Sequence, residues 1–182
     1  CAIDTETTGL VPSVAGLVGI SLATAVGKAC YIPLDHIDPD SAAAGELIFA
    51  EPKRPKQMAL ADAVALLKPI CADESILKIG HNLKFDMQVL AQHGIEFKSI
   101  DDTILLSFAL GAGAHGHGLD ELAEKHFNHK MISFNDVTGT GKARISFAAV
   151  PLDKACAYAA EDADYTLRLW HYLKPQLAQQ HV

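Results

Sequence analysis

The spacing of apolar positions changes along the chain and divides it into elements. Residues 1–4 read as the end of a strand, followed by a turn through Thr7-Thr8-Gly9-Leu10-Val11-Pro12. Leu17 to Thr24 is rich in β-formers with partial alternation, Val26-Gly27-Lys28 is a tight connection, and Ala29 to Leu34 is a third strand. These three segments form an antiparallel meander. Residues 35–56, with Pro39, Pro52 and Pro55, read as an irregular surface excursion. Gln57 to Ile70 then places apolar residues at helical spacing, with Pro69 near its end. Ser75 to Ile79 predicts a short strand, Gly80-His81-Asn82 a turn, and Leu83 to His93 a helix closed by Gly94. Another strand falls within Ile95–Asp101, and Asp102 or Thr103 caps a helix running through Leu110. After a Gly-rich loop at 111–118 come a short helix (Leu119–His126), an irregular stretch (129–150) and a last helix from about Leu152 to about Leu177. This order is α/β: a mixed central sheet with an antiparallel three-strand start, flanked by helices.

The same periods place the chemistry. Asp4 and Glu6 are two apart, so on a strand they share a face. Tyr158 and Asp162 are four apart, so on a helix they share a face. Asp86 lies one turn past Asn82 on the helix after the fourth strand. Taken singly, each segment has a plainer reading: a strand end capping a turn, a helix cap with a solvated neighbour, a solvated acidic face. Taken together, carboxylates from separate rigid elements are what phosphodiester hydrolysis needs. The anionic ester repels hydroxide, and two divalent cations roughly 3.5–4 Å apart activate water and stabilise the attacking and leaving oxygens. Such ions prefer carboxylate oxygen. The Tyr158 phenol, with an unperturbed pKa of about 10, is neutral and can orient the attacking water.

Composition narrows the setting. At 182 residues the chain is long enough for one domain with a sizeable core, and 49% hydrophobic with 20% charged residues is ordinary for a globular protein. No apolar run approaches the roughly 18 residues of a membrane span, so no membrane partner is expected. Only three residues precede Asp4, so the chain reads as a piece excised from a longer protein and clipped at the start of its first strand. Cys1, Cys30, Cys71 and Cys156 form no C-x-x-C pair; reduced thiols in a cytoplasmic protein are the expectation. A formal net charge of −7 argues against a broad basic face for duplex DNA. It leaves room for a nucleic-acid enzyme whose carboxylates are neutralised by cations and whose basic groove is supplied by a neighbouring domain.

Asp4-Thr5-Glu6, Asn82-Leu83-Lys84-Phe85-Asp86 and Tyr158-Ala159-Ala160-Glu161-Asp162 resemble the three motifs of the four-carboxylate 3′–5′ exonucleases. The Tyr-x-x-x-Asp form is that of the tyrosine branch; the histidine branch has His where this chain has Ala157. The chain resembles the proofreading domain of bacterial family A DNA polymerases along essentially its whole length, including Lys78 to Asp86, Asp101-Asp102-Thr103, Gly118 to Ala123 and Tyr158 to Leu169. The resemblance implies a ribonuclease-H-like fold and removal of nucleotides, as nucleoside 5′-monophosphates, from single-stranded or frayed DNA 3′ ends. It implies Mg2+ or Mn2+ as cofactor, with Zn2+ admitted at the tighter site, and a polymerase module in the same parent chain. Asp4, Glu6 and Asp162 would hold the tighter ion, Asp4 would bridge to the second, and Asp86 would contribute through water. The rival readings are a ribonuclease-D-like exoribonuclease and a catalytically silent domain bracing a polymerase.

By the same resemblance, Leu10 matches a base wedge and Phe134 a second stacking residue, while Thr5, Asn82, Lys84 and Phe85 are further substrate-binding candidates. Phe85 stands where relatives often carry Tyr, and Gly116 where some carry a phosphate-binding Arg, so neither side-chain contact is available here. His115 and His117 have no third zinc ligand near in sequence. Gly139-Thr140-Gly141-Lys142 lacks the spacing of a phosphate loop and reads as a turn, with Lys142 and Arg144 as candidates for the DNA backbone.

Overall fold

The computed structural model describes residues 1–39, 53–111 and 113–180. Five strands form one mixed sheet: β1 (Ala2–Thr7), β2 (Leu17–Ala25), β3 (Lys28–Pro33), β4 (Lys78–Gly80) and β5 (Ile100–Asp102), in the spatial order β3-β2-β1-β4-β5. β1 to β3 are the expected antiparallel meander, while β4 and β5 run parallel to β1. The helices are α1 (Leu60–Ala72), α2 (Leu83–Ala91), α3 (Thr103–Gly111), α4 (Leu119–Phe127), α5 (Phe134–Thr138) and α6 (Leu152–Gln180).

Strand alternation splits the central strand β1 between two cores. Ile3 packs with Leu67 of α1 and Leu83, Val89 and Leu90 of α2 on one face of the sheet. Ala2 packs with Ala163 and Leu167 of α6 on the other. Asp4 and Glu6 follow Ala2 in register and therefore share the α6 face, while Thr5 faces α2. Ala155, Ala159 and Ala163, four residues apart on α6, are fully buried. Their small side chains let a helix backbone lie close to the sheet, and that closeness carries Tyr158 and Asp162 to Asp4 and Glu6. β1 ends beside the site in a register shift between Glu6 and Thr7, the kind of irregularity that re-aims a strand's last side chains.

Local differences from the sequence reading have local causes. β1 continues to Thr7 because its pairing with β2 extends to Leu17. β4 begins only at Lys78: the fully buried Lys78 ammonium donates to the carbonyls of Asp73 and Ile76, which holds the chain before it in a turn. Both acceptors lie within five residues of Lys78. α1 starts three residues later than expected and carries Pro69 inside its last turn. Stretch 129–150 is more ordered than predicted. Ser133 and Asp136 form a capping box that starts α5, and two single 3-10 turns follow at Gly141–Ala143 and Phe147–Ala149. Of the irregular excursion read over 35–56, residues 40–52 lie outside the described residues.

Candidate active site

The C-terminal end of β1, the start of α2 and the first half of α6 meet at one cleft of about 590 Å³. Asp4, Glu6 and Asp162 line it, and each offers a carboxylate oxygen within 4.8 Å of the others. Asp86 stands behind β1. Its Oδ1 accepts from the Thr5 N–H at 2.9 Å and the Thr5 hydroxyl at 2.6 Å, which fixes α2 to the strand that carries Asp4 and Glu6. Tyr158 lines the cleft one helical turn before Asp162.

The four acids are crowded and poorly hydrated. Glu6 and Asp86 are 7% and 2% exposed, while Asp4 and Asp162 keep some contact with solvent. Even so, desolvation raises the pKa of Asp4 to about 7, opposed by the Thr5 N–H and the Ser21 hydroxyl. Burial, then repulsion from Asp4, pushes Glu6, Asp86 and Asp162 well above the usual carboxylate range. Among the described residues none of the four forms an ion pair with Lys, Arg or His. Hard oxygen donors on separate elements, uncompensated by any cation of the chain, fit a divalent metal ion. Burial and the neighbouring carboxylates raise the Tyr158 phenol too, so it stays neutral.

An aromatic wall faces the carboxylates. Phe134 stacks on Phe147 (centroids 6.0 Å apart, planes 16°) and meets Tyr158 edge-on at 6.1 Å. Leu10 is 92% exposed at the end of a loop held by Thr8–Gly16 hydrogen bonds and by the Gln92 side chain on the Pro12 carbonyl. Leu10, Phe85 and Phe134 all line the cleft, as does Thr5; Asn82 and Lys84 do not. Asn82 instead takes a left-handed conformation (φ 66°) to start α2, its N–H donating to Asp102. His117 bonds Ser107 beside His115, and among the described residues no third ligand joins them. A Cβ at position 116 would meet the Glu121 carboxylate, the far end of a flexible side chain, so a larger residue there would displace Glu121.

Sequence reasoning missed two contributors. Phe147, 2% exposed, backs the whole aromatic wall; only the apolar run Phe147–Val150 signalled it. Glu161, given no separate role from the sequence, accepts from the Ile132 N–H and bonds His129, tying the segment before Phe134 to α6.

The family model described as 3′-5′ exonuclease matches residues 1–178. The chain belongs to that family. This exonuclease domain is 45% identical to DNA polymerase I of Rhizobium leguminosarum over 186 aligned residues, which cover 97% of the chain but 18% of the polymerase. It therefore spans less than a fifth of that relative. The structure of Brucella melitensis NrnC with bound Mg2+ superposes with a TM-score of 0.66 at 26% identity, covering 99% of this chain and 74% of NrnC. Escherichia coli RNase D, an exoribonuclease involved in structured RNA processing, gives a TM-score of 0.63 at 22% identity over 98% of this chain and 39% of its own. The expected ribonuclease-H-like α/β architecture is the one observed. No described helix is long and apolar enough to cross a membrane.

Proposed function

We propose that this domain removes nucleotides from the 3′ end of single-stranded or frayed DNA, as the proofreading part of a bacterial DNA polymerase chain. The observation that carries the proposal is the convergence of Asp4, Glu6 and Asp162 within 4.8 Å, beside a neutral tyrosine and an aromatic wall, in one cleft. Water attacks the terminal phosphorus, the bond from phosphorus to the 3′ oxygen breaks, and a nucleoside 5′-monophosphate leaves. Asp4, Glu6 and Asp162 would hold one divalent ion, Mg2+ or Mn2+, and Asp4 would also serve a second, with Asp86 contributing through water; when bound, the ions supply acidified water and charge neutralisation.

The chain's own residues supply the rest. Tyr158 cannot act as a base with its phenol pKa raised, so it orients water by donating or accepting one hydrogen bond. Thr5 anchors Asp86 so that α2 and β1 keep a fixed separation. Leu10, Phe85 and Phe134 give bases an apolar surface on which stacking is worth about 1–3 kcal/mol each. Asn82 and Lys84 would meet only DNA that extends past the cleft. A polymerase module in the same parent chain and a cytoplasmic location belong to the same proposal, supported by the likeness to DNA polymerase I.

The test is a single-stranded oligonucleotide labelled at its 3′ end, digested with Mg2+ or Mn2+. Labelled 5′-monophosphate should appear first, and Asp4→Ala or Asp162→Ala should abolish it. Undiminished release by either variant sinks the assignment. Faster turnover on matched RNA than on DNA favours the exoribonuclease reading, and absence of divalent-ion binding by calorimetry favours the silent-domain reading.

A further inference from the structure

The cleft carries both signs of charge. Asp4, Glu6 and Asp162 line it, and the basic residue among its described lining is Arg144. Arg144 follows the 3-10 turn at Gly141–Ala143 and is exposed to solvent. Its guanidinium carbon sits over the Phe134 ring, 5.2 Å from the centroid. Its Nη2 donates to the Asn135 Oδ1 at 3.1 Å, a neutral acceptor. Among the described residues Arg144 makes no ion pair. An arginine held over an aromatic ring, with its charge left uncompensated and facing an acidic cleft, is a preorganised site for an anion. Lys142, two residues earlier, does not line the cleft.

We infer that Arg144 binds a backbone phosphate of the single strand, upstream of the one cleaved, while covering Phe134 until a base arrives. The inference rests on the exonuclease reading and deepens it. The scissile phosphate belongs at the carboxylates, where bound cations neutralise it. Arg144 lines the same cleft but rests on Phe134 and makes no ion pair with those carboxylates, so the phosphate assigned to it is one the reaction leaves intact. The contact is the same in ground and transition states, so it acts on KM. Because the charge displaces a counterion from the strand, it also has a salt signature: each phosphate contact to a single strand contributes about −0.7 to the slope of log K against log salt.

The experiment measures anisotropy of a 5′-labelled oligothymidylate in EDTA, where no turnover occurs, between about 50 and 200 mM salt. Arg144→Gln keeps a planar group over Phe134 without charge; Arg144→Lys keeps the charge without the planar stack. The Gln variant should lose about 0.7 of slope, so the change in its Kd across that fourfold salt range should be about 2.6-fold smaller than wild type's. The Lys variant should keep the wild-type slope. In Mg2+ the Gln variant should lose kcat/KM through KM. If the wild-type chain digests DNA but the Gln variant retains the full salt slope, Arg144 is a lid on Phe134 and this inference alone is overturned. If the wild-type chain neither binds nor digests the strand, the exonuclease reading falls and the inference with it. Thermal melting of each variant separates both results from misfolding.

Discussion

Consider Asp162→Asn in EDTA. The substitution removes one charge from a group whose carboxylate oxygens lie within 4.8 Å of each other. Two ionised groups at that separation repel by about 0.9 kcal/mol in water and about 3.5 kcal/mol at an effective dielectric constant of 20. Asp162 takes part in two such pairs, with Asp4 and with Glu6. Proton uptake by the cluster relieves part of this repulsion. The expected net effect at pH 8 is a stabilisation of about 1–3 kcal/mol, or roughly 2–12 °C in Tm for a chain of this size.

The sign with pH follows from the raised values. Folding lifts the carboxyls of Asp4, to about 7, and of Glu6, Asp86 and Asp162 above their unfolded values near 4. The folded chain thus holds protons that the unfolded chain has released. Stability in EDTA is full below about pH 4 and is lost as pH rises through about 7. Asp162→Asn should flatten that decline, so its advantage should grow from pH 5 to pH 8. Saturating Mg2+ should reverse the order, since wild type gains stability by mass action and the variant does not. Thermal melts followed by circular dichroism read all of this. A variant less stable than wild type in EDTA by the same margin at pH 5 and pH 8 would refute the claim that the metal-free site is electrostatically strained.

Three other perturbations probe separate parts of the site. Tyr158→Phe should lower turnover by about ten- to a hundredfold, since one positioned hydrogen bond is lost, while calorimetry shows divalent-ion affinity unchanged; unaltered turnover would remove Tyr158 from the chemistry. Phe134→Ala should weaken single-strand binding by about 1–3 kcal/mol, the worth of one stacked base, which an anisotropy titration measures and an unchanged Kd would contradict. Ala163→Leu places a branched side chain where α6 meets Ala2 and Ile79; overpacking should cost about 1–3 kcal/mol and reduce activity by moving Asp162, so a destabilised variant with full activity would show that helix-to-sheet closeness does not set the site.

The two acidic pairs were legible because each lies within one element whose period is fixed: Asp4 and Glu6 by the two-residue repeat of a strand, Tyr158 and Asp162 by the turn of a helix. The meander β1–β3 was legible for the same reason, with Gly27 marking its turn. The 133–150 stretch was not. Its order comes from the capping box at Ser133 and Asp136 and from Phe134 and Phe147 stacking on each other and on Tyr158, contacts between residues 11 to 24 positions apart. The anchoring role of Glu161 was not legible because its partners, His129 and the Ile132 N–H, are supplied by a distant segment.

The sequence alone therefore determined which groups are candidates for the chemistry and which family the chain resembles, since residue type and local period are properties of short stretches. Tertiary structure decided that Asp4, Glu6 and Asp162 share a 4.8 Å neighbourhood, that Asp86 is held through Thr5, and that Arg144 rests on Phe134 in the cleft the acids line. The first of these depends on how closely the alanine face of α6 packs against the sheet, and no local pattern encodes a distance between elements about 150 residues apart.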